Sequence, residues 1–511
     1  MTLYNFNILV GFQISGVEYA QGYRSKLLNQ LDEENYYIFT ELPNWEYVRR
    51  YSEVVGIPIE QLMSVHISFL EDASLKPSVT LSDIRHRYPH FDQADFHKKE
   101  GLHLNFYQQG KQSIAVSFLD EESDIVDYVT LFAEGMLLRK DIYTNRHIYS
   151  EYYSPQTIDG QYQAALYRRA FLSPEGNLVY EEVIKEGNST FVFANHRHYL
   201  TKYDLLDAFV KRLDLTEKDW LLLDRSQHFD FAQVVLKNKG KAKVAAIIHS
   251  EHYFPRNYDA SYLFINYEYY YIIKYAKDID VFVTSTALQK ERLGQLIFEE
   301  MAVRPHMAVI PVGSVSVAEY KETNQHTPFS MMTASRFDSR KHIDWLIKAV
   351  VLAKKVIPDL IFYIYGEGSL MPKCRELIID LEARDYILLK GHVPLEEVYP
   401  SHELYLTAST WETFGLSILE AVSHGLPIIG LDVPYGNQTF VTSAKNGYLV
   451  PFDHEEDESV VIIQLAEAIV TYFNQGEQVR QQFRHQSLEV ASRFSEETVL
   501  EGWKKLLAGG N

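Results

Sequence analysis

The spacing of apolar positions changes character twice along the chain. Residues 4–10 read as a strand, residues 11–16 as a glycine-containing turn, and residues 17–31 as a helix with Tyr19, Tyr23 and Leu27 at helical spacing. Residues 36–40 form a second strand candidate, so the chain opens as a parallel α/β unit. From about residue 66 to residue 194 the helical period is lost. Short apolar runs at 125–133, 137–143, 164–171 and 178–184 alternate with turn signals at Ser154-Pro155, Ile158-Asp159-Gly160 and Pro174-Glu175-Gly176-Asn177. That spacing predicts an antiparallel meander, and roughly 130 residues make it a domain rather than a loop.

The βα alternation returns near residue 195, with strands predicted at 220–223, 243–248, 281–284 and 308–311. Residues 1–65 are short for a complete α/β sheet. The simplest organisation is one α/β domain, 1–65 with 195–327, interrupted by a β-domain at 66–194. A second α/β series begins near Pro328, with strands at 329–334, 360–365, 386–389, 404–407 and 427–430 and a helix at 343–355. Gln325-His326-Thr327-Pro328 has linker character. The second domain then spans 328–490, and 491–511 is a terminal segment built on a helix at 495–507. The fold class is α/β, two parallel-sheet series with an inserted antiparallel meander.

Composition narrows the function classes. Of 511 residues, 46% are apolar and 23% charged, which excludes a disordered or collagen-like chain. The 49 basic and 69 acidic side chains leave a net charge of −20, which speaks against non-specific nucleic-acid binding but not against a local phosphate pocket. Cys374 is the only cysteine, so no intrachain disulfide forms, as suits a reducing compartment. The first residues show no signal-peptide pattern, and the most apolar late stretch, 460–473, is interrupted by Glu467.

The densest chemistry lies in Glu412-Thr413-Phe414-Gly415-Leu416-Ser417-Ile418-Leu419-Glu420, just after the predicted strand 404–407. If Gly415 opens a helix, its free N–H groups and positive end form a place for an anion such as a diphosphate. Glu412 then precedes the helix and Glu420 lies within it. Eight helical residues rise about 12 Å, so the two carboxylates would reach different parts of one ligand. Taken alone, such a pair is more often two solvated carboxylates. Ser335-Arg336-Phe337-Asp338-Ser339-Arg340-Lys341-His342 also joins a strand to a helix. Arg336 and Lys341 fall at the carboxyl end of the strand, where open α/β sheets bind ligands. A guanidinium fork and an ammonium both suit phosphate, although cations in a loop are more often solvated. Tyr365-Gly366-Glu367-Gly368 is a third strand end, with glycines for close backbone approach. The aromatic run Tyr262, Phe264, Tyr267, Tyr269, Tyr270 and Tyr271 reads as core and interface packing rather than a sugar platform. No Asp-x-Asp stands at a strand end, so no metal is expected.

The order of these signals carries further. Arg336-x4-Lys341, Gly366-Glu367-Gly368, Gly391-His392-Val393, the Glu412-x7-Glu420 pair and Ala421-x3-Gly425-Leu426-Pro427-Ile428-Ile429 cover most of 328–451. In this order they resemble the retaining glycosyltransferases of the GT-B fold. Ser15-Gly16-Val17-Glu18-Tyr19-Ala20-Gln21 and, in the meander, Leu138-x2-Asp141-x-Tyr143, Tyr152-Tyr153 and Arg169-x-Phe171 narrow the resemblance. They are similar to the GtfA family, catalytic subunits of the O-linked N-acetylglucosaminyltransferases that glycosylate serine-rich repeat adhesins in accessory secretion. A similar meander occurs in teichoic-acid α-N-acetylglucosaminyltransferases, so the insert alone does not fix the acceptor.

The resemblance implies two Rossmann-like domains facing across a cleft, the last helix packing back on the first, and UDP-N-acetylglucosamine lying mainly on the second. It implies that Arg336 and Lys341 hold the diphosphate, that Glu412 contacts sugar hydroxyls and Glu420 the ribose, and that backbone N–H groups of Phe414, Gly415 and Leu416 add to the phosphate site. Gly391, His392 and Val393 would border the uracil; Gly366 and Glu367 would line the donor site. Ser15 and Gly16 would let the first domain close over the phosphates. His249, in His249-Ser250-Glu251-His252, is either a contact to donor sugar or acceptor or a structural histidine. Thr413 stands where a small glycine is frequent in the wider superfamily. The implied partners are a homologous non-catalytic GtfB subunit and a serine-rich repeat adhesin as acceptor. The implied location is cytoplasmic, with peripheral association at the inner face of the membrane left open. The rival readings are transfer of glucose or N-acetylglucosamine to teichoic acid, and a non-catalytic glycan-binding subunit.

Overall fold

The computed structural model describes all residues except 10, 12–13, 159–160, 225–228, 255–263, 317–325 and 510–511. The last residue of the strand read at 4–10, two residues of the turn read at 11–16, Asp159-Gly160, Tyr262 and Gln325 lie outside the described residues. The chain divides into two units, residues 1–14 with 33–244 and residues 15–32 with 245–511.

In the first unit four strands lie parallel in the order Trp220–Leu223, Thr2–Asn7, Glu34–Phe39, Leu62–Ser64. Trp220, Leu221, Leu222 and Leu223 are all buried, as expected of a parallel strand covered on both faces. The ten-stranded meander is one antiparallel sheet running from Phe96–Glu100 to His198–Tyr199, each strand paired with its neighbour in sequence. It begins at Phe96 rather than near residue 66. The intervening stretch holds the short helical turns Ile67–Phe69, Leu81–Ile84, Arg85–Arg87 and His90–Gln93. Elements of three or four residues are too short to show a 3.6-residue period. Their Ile84, Tyr88 and Phe91 pack on Phe106, Ile114, Val116 and Val129 of the sheet.

Aromatic rings tie the meander together. Tyr180 lies between Phe171 and Phe193, with centroids 4.2 and 4.6 Å away, and Phe69 meets Phe193 edge-on at 5.5 Å. The helix Trp45–Val55 clamps the sheet: Arg49 forks onto Asp127 at 2.9 and 2.8 Å, and Trp45 Nε1 donates to the Tyr149 hydroxyl at 3.2 Å.

In the second unit the helix Gly16–Leu28 starts from Ser15, whose hydroxyl and N–H form a capping box with Glu18. Lys243–Ile247, Val281–Thr284 and Met307–Val309 pair in parallel. The helix Tyr267–Lys274 buries Tyr269 but exposes Tyr267 and Tyr270. The aromatic run is therefore only partly core, because helical geometry turns its successive rings to different faces. The C-terminal sheet is fully parallel, in the order Ile387–Gly391, Ile361–Tyr365, Ser330–Ala334, Leu404–Thr407, Ile428–Leu431, Gly447–Val450. The chain winds outward from Ser330–Ala334 on one side and returns to its other side with Leu404–Thr407. That topological switch point is where doubly wound sheets bind ligands. The last helix, Glu496–Leu507, lies against Gly16–Leu28, with Lys26 2.5 Å from Glu496 and the Arg24 guanidinium 5.8 Å from the Trp503 ring. Among the described residues no helix is long and apolar enough to cross a membrane.

One buried charge organises the meander. Asp141 has no exposed surface and accepts from Tyr88 (2.7 Å), Ser150 (2.6 Å) and Arg139 (2.6 Å). Burial alone would raise its carboxyl, but His147 and Arg139 outweigh it and hold it well below the usual carboxylate range. A depressed native pKa means the stabilisation is complete above the unfolded value of about 3.9 and is lost as pH falls through the native one. Asp141→Asn should destabilise the protein by about 3 kcal/mol at pH 7, the lower end of the range for a broken buried pair because Arg139 is partly solvated. It should also flatten the acid limb of the stability profile. Denaturant unfolding at pH 7 and below pH 4 measures both.

Candidate active site

Three loops meet at the carboxyl ends of the C-terminal strands, held by their own backbones. The Ser335 N–H donates to the Tyr365 carbonyl (3.1 Å), the Phe337 N–H to Glu367 (3.0 Å), and the Gly366 N–H to Gly391 (2.8 Å). Gly366 sits at φ +119°, and a Cβ there would lie 2.0 Å from the Ser335 carbonyl oxygen. Only glycine allows that approach. This places the Arg336 loop directly on the Gly366-Glu367-Gly368 turn, with Gly391 behind it. The side chains of Glu367 and His392 are exposed, and Val393 packs partly against the core.

The fourth strand end brings the carboxylates. The Thr410 N–H donates to the Arg340 carbonyl at 3.1 Å, which joins the loop before Glu412 to the loop before Lys341. Lys341 Nζ then lies 2.6 Å from Glu412 Oε2, with the two side chains 22% and 16% exposed. Arg336 is half-exposed, and its guanidinium stands 3.7 Å from Asp338. The Ser335 hydroxyl is buried with no partner among the described residues.

Gly415 caps the next helix, Leu416–Ser423, in the left-handed conformation at φ +87°, with no side-chain cap. Among the described residues no acceptor takes the N–H of Gly415, Leu416 or Ser417. Phe414 turns its ring inward against Phe440 (5.1 Å) and Phe494 (5.9 Å), which leaves its backbone as the part at the site. Thr413 is half-buried beside it. The result is a helix start with unsatisfied donors, a paired ammonium, a guanidinium and a carboxylate. Chemically, such a set suits a dianion at one end and hydroxyl groups at the other.

Glu420 lies one turn into the helix. Its carboxylate accepts from Tyr399 (2.8 Å) and from Tyr23 of the helix Gly16–Leu28 (3.0 Å). Burial raises its pKa, with both hydroxyls acting against that rise. Ser15 spends its hydroxyl on Glu18 and Gly16 opens its helix exposed, so no described hydrogen bond brings that pair to the three loops. His249 is half-buried just past Lys243–Ile247. Two residues on, Glu251 is buried and accepts from the Tyr435 hydroxyl at 2.6 Å. Tyr23, Tyr399, Glu251 and Tyr435 are the polar groups that sequence reasoning did not assign to the site. Each tyrosine stands among glycine, proline or polar neighbours, and the one signal for it is that a buried phenol needs a partner.

Comparison with known proteins follows the same division of the chain. The family described as Glycosyl transferases group 1 matches residues 328–472, and the GtfA extended beta-sheet domain matches residues 96–195. The UDP-N-acetylglucosamine–peptide N-acetylglucosaminyltransferase GtfA subunit of Streptococcus agalactiae is 38% identical over 509 residues, 99% of this chain and 98% of its own. This chain belongs to the GtfA family of glycosyltransferases. Its structure matches the crystal structure of pneumococcal GtfA in complex with UDP and GlcNAc, with a TM-score of 0.90 and 34% identity over 100% of this chain and 99% of that one. It matches the crystal structure of a GtfA/B complex equally well, with a TM-score of 0.90 and 35% identity over the same shares. The fold is therefore GT-B, two Rossmann-like parts with the meander of the GtfA family inserted in the first.

The tight approach at Gly366 gives a direct test of the loop architecture. Gly366→Ala must push the Ser335 and Gly366 loops apart and also adopt a disfavoured φ. It should cost about 2 kcal/mol or more, seen as a lower thermal midpoint.

Proposed function

We propose that this chain transfers N-acetylglucosamine from UDP-N-acetylglucosamine to Ser and Thr hydroxyls of an extended polypeptide, with retention at the anomeric carbon. The observation that carries the reading is the Lys341–Glu412 pair set before the uncapped helix start at Gly415, in a chain alike over its whole length to GtfA subunits. Arg336, Lys341 and the N–H groups of Gly415 and Leu416 meet the charge that grows on the departing diphosphate. They stabilise the transition state more than the ground state. Glu412 orients the sugar hydroxyls and Glu420 the ribose. The acceptor hydroxyl attacks the anomeric carbon from the face the diphosphate leaves, the C–O bond to phosphate breaks, and the leaving phosphate oxygen takes the hydroxyl proton.

The acceptor in this reading is a serine-rich repeat adhesin before export, in the cytoplasm. The chain works beside a homologous, non-catalytic GtfB subunit, for which the GtfA/B complex of a similar protein is the support. The inserted meander serves that partner and the acceptor rather than the nucleotide, because the site residues lie outside it. A complete set of Arg336, Lys341, Glu412 and Glu420 favours a catalytic over an adaptor role.

Incubation of the protein and a GtfB partner with UDP-N-acetylglucosamine and a Ser-rich polypeptide, read by intact mass, should show successive additions of one N-acetylhexosamine. No addition would overturn the reading. Glu412→Gln should slow transfer by on the order of 10² to 10³ while leaving the fold intact. Transfer should also persist in EDTA, since the residues proposed to meet the leaving-group charge are cationic and backbone groups. Loss restored by Mn²⁺ or Mg²⁺ would contradict that part of the mechanism.

A further inference from the structure

Just past the strand Lys243–Ile247 the chain buries a carboxyl group that the proposed chemistry does not use. Glu251 is 3% exposed. Its Oε1 accepts from the Tyr435 hydroxyl at 2.6 Å and from the His252 N–H at 3.2 Å. The Asn266 side chain donates to the Glu251 carbonyl at 2.9 Å and fixes the backbone from which the carboxyl projects. Burial pushes this carboxyl up to about 7, with the Tyr435 hydroxyl, the His252 N–H and the Arg292 charge opposing it.

Tyr435 is held at both ends. Its ring is fully buried, and the Arg292 guanidinium lies 5.5 Å from the ring centre while donating to the Tyr253 hydroxyl at 2.9 Å. At the other end its backbone N–H donates to the Glu412 carbonyl at 2.9 Å, and the N–H of Gly436 donates to the same oxygen at 2.8 Å. A rigid path therefore runs from Glu251 through one phenol and one peptide to the backbone of Glu412, whose side chain faces Lys341.

We propose that Glu251 is a positioning residue: acting through Tyr435, it fixes the peptide of Glu412 and so the aim of the Glu412 carboxylate at the donor sugar. The inference rests on the reading in which Glu412 meets the sugar. A misplacement of about 1 Å at such a group is enough to cost on the order of 10²-fold in rate. The hydrogen bonds of the path end on the Glu412 carbonyl; none reaches Arg336 or the N–H groups of the Gly415 helix start, which the path meets only where Gly436 abuts the Phe414 carbonyl. The sugar end of the site depends on it directly, and the nucleotide end only at second hand, through the Lys341–Glu412 pair.

The hydrogen bond, not the charge, is what the path needs. Glu251→Gln keeps an acceptor for Tyr435 and should retain at least half of the wild-type kcat. Glu251→Ala and Tyr435→Phe each break the tie. They should lower kcat about tenfold or more and raise KM for UDP-N-acetylglucosamine several-fold, with Kd for UDP changed clearly less than Kd for UDP-N-acetylglucosamine. Calorimetry with UDP and with UDP-N-acetylglucosamine separates the two ends of the site, and thermal unfolding shows which variants are folded. Tyr435→Phe removes one oxygen and keeps the packing, so it decides the matter if Glu251→Ala does not fold. Wild-type kinetics in folded Tyr435→Phe would overturn the proposal, as would equal weakening of UDP and UDP-N-acetylglucosamine, or a Glu251→Gln as impaired as Glu251→Ala. A wild-type protein that binds UDP but not UDP-N-acetylglucosamine would overturn the donor reading itself, and the inference with it.

Discussion

A helix whose first N–H groups lack a protein acceptor takes a partner from outside the fold, and among the described residues no acceptor meets the first N–H groups of the helix that begins at Gly415. The rest of the C-terminal site is arranged around that constraint. The left-handed Gly415 starts the helix without a side chain to cap it. Phe414 is anchored in the core by Phe440 and Phe494, which fixes where the free donors stand. Parallel strands bring the Arg336 and Lys341 loop alongside, and the missing side chain of Gly366 lets that loop seat on the adjacent turn. The loop that carries the cations is thus placed by backbone geometry, and the ion pair with Glu412 then orders the Lys341 side chain.

Charge is distributed to match. The chain as a whole carries −20, yet this strand end presents an ammonium, a guanidinium and a row of peptide dipoles. The Lys341–Glu412 pair, partly withdrawn from water, keeps both groups ordered before any ligand arrives. A preorganised pair costs less to align at the moment of reaction than two mobile side chains. Glu420 illustrates the same economy from the other side. Its burial opposes ionisation, and two phenol donors, one from the first helix of the second unit, restore hydrogen bonding to the carboxylate.

Much of this was legible in the amino-acid sequence, and the failures have physical reasons. Trp220–Leu223, Val281–Thr284 and Leu404–Thr407 emerge residue for residue because they are unbroken apolar runs bounded by turns. Leu62–Ser64 and Gly447–Val450 are three- and four-residue edge strands, too short for any period to register. The meander showed its alternation, but its start was placed about thirty residues early because short helical turns and strand ends share the same Pro, Thr and Asp signals. The positions of Glu412 before the helix and Glu420 within it follow from spacing alone. Their partners do not: Tyr23 is 397 residues from Glu420 and Tyr435 is 184 from Glu251, and nothing local in either segment announces the contact. Local propensity reveals which elements exist; which phenol meets which carboxylate is decided by how distant elements pack.

The central claim is that Arg336, Lys341 and the Gly415 helix start form a diphosphate site. Calorimetric titration of the wild-type protein with uridine, UMP and UDP tests it most directly, because each added phosphate reports its own share of the affinity. The account predicts that UDP binds about tenfold or more tighter than UMP, and that this increment largely disappears in Arg336→Ala and in Lys341→Ala while uridine binding is unchanged. Equal affinity for uridine and UDP, or an increment untouched by both substitutions, would contradict it.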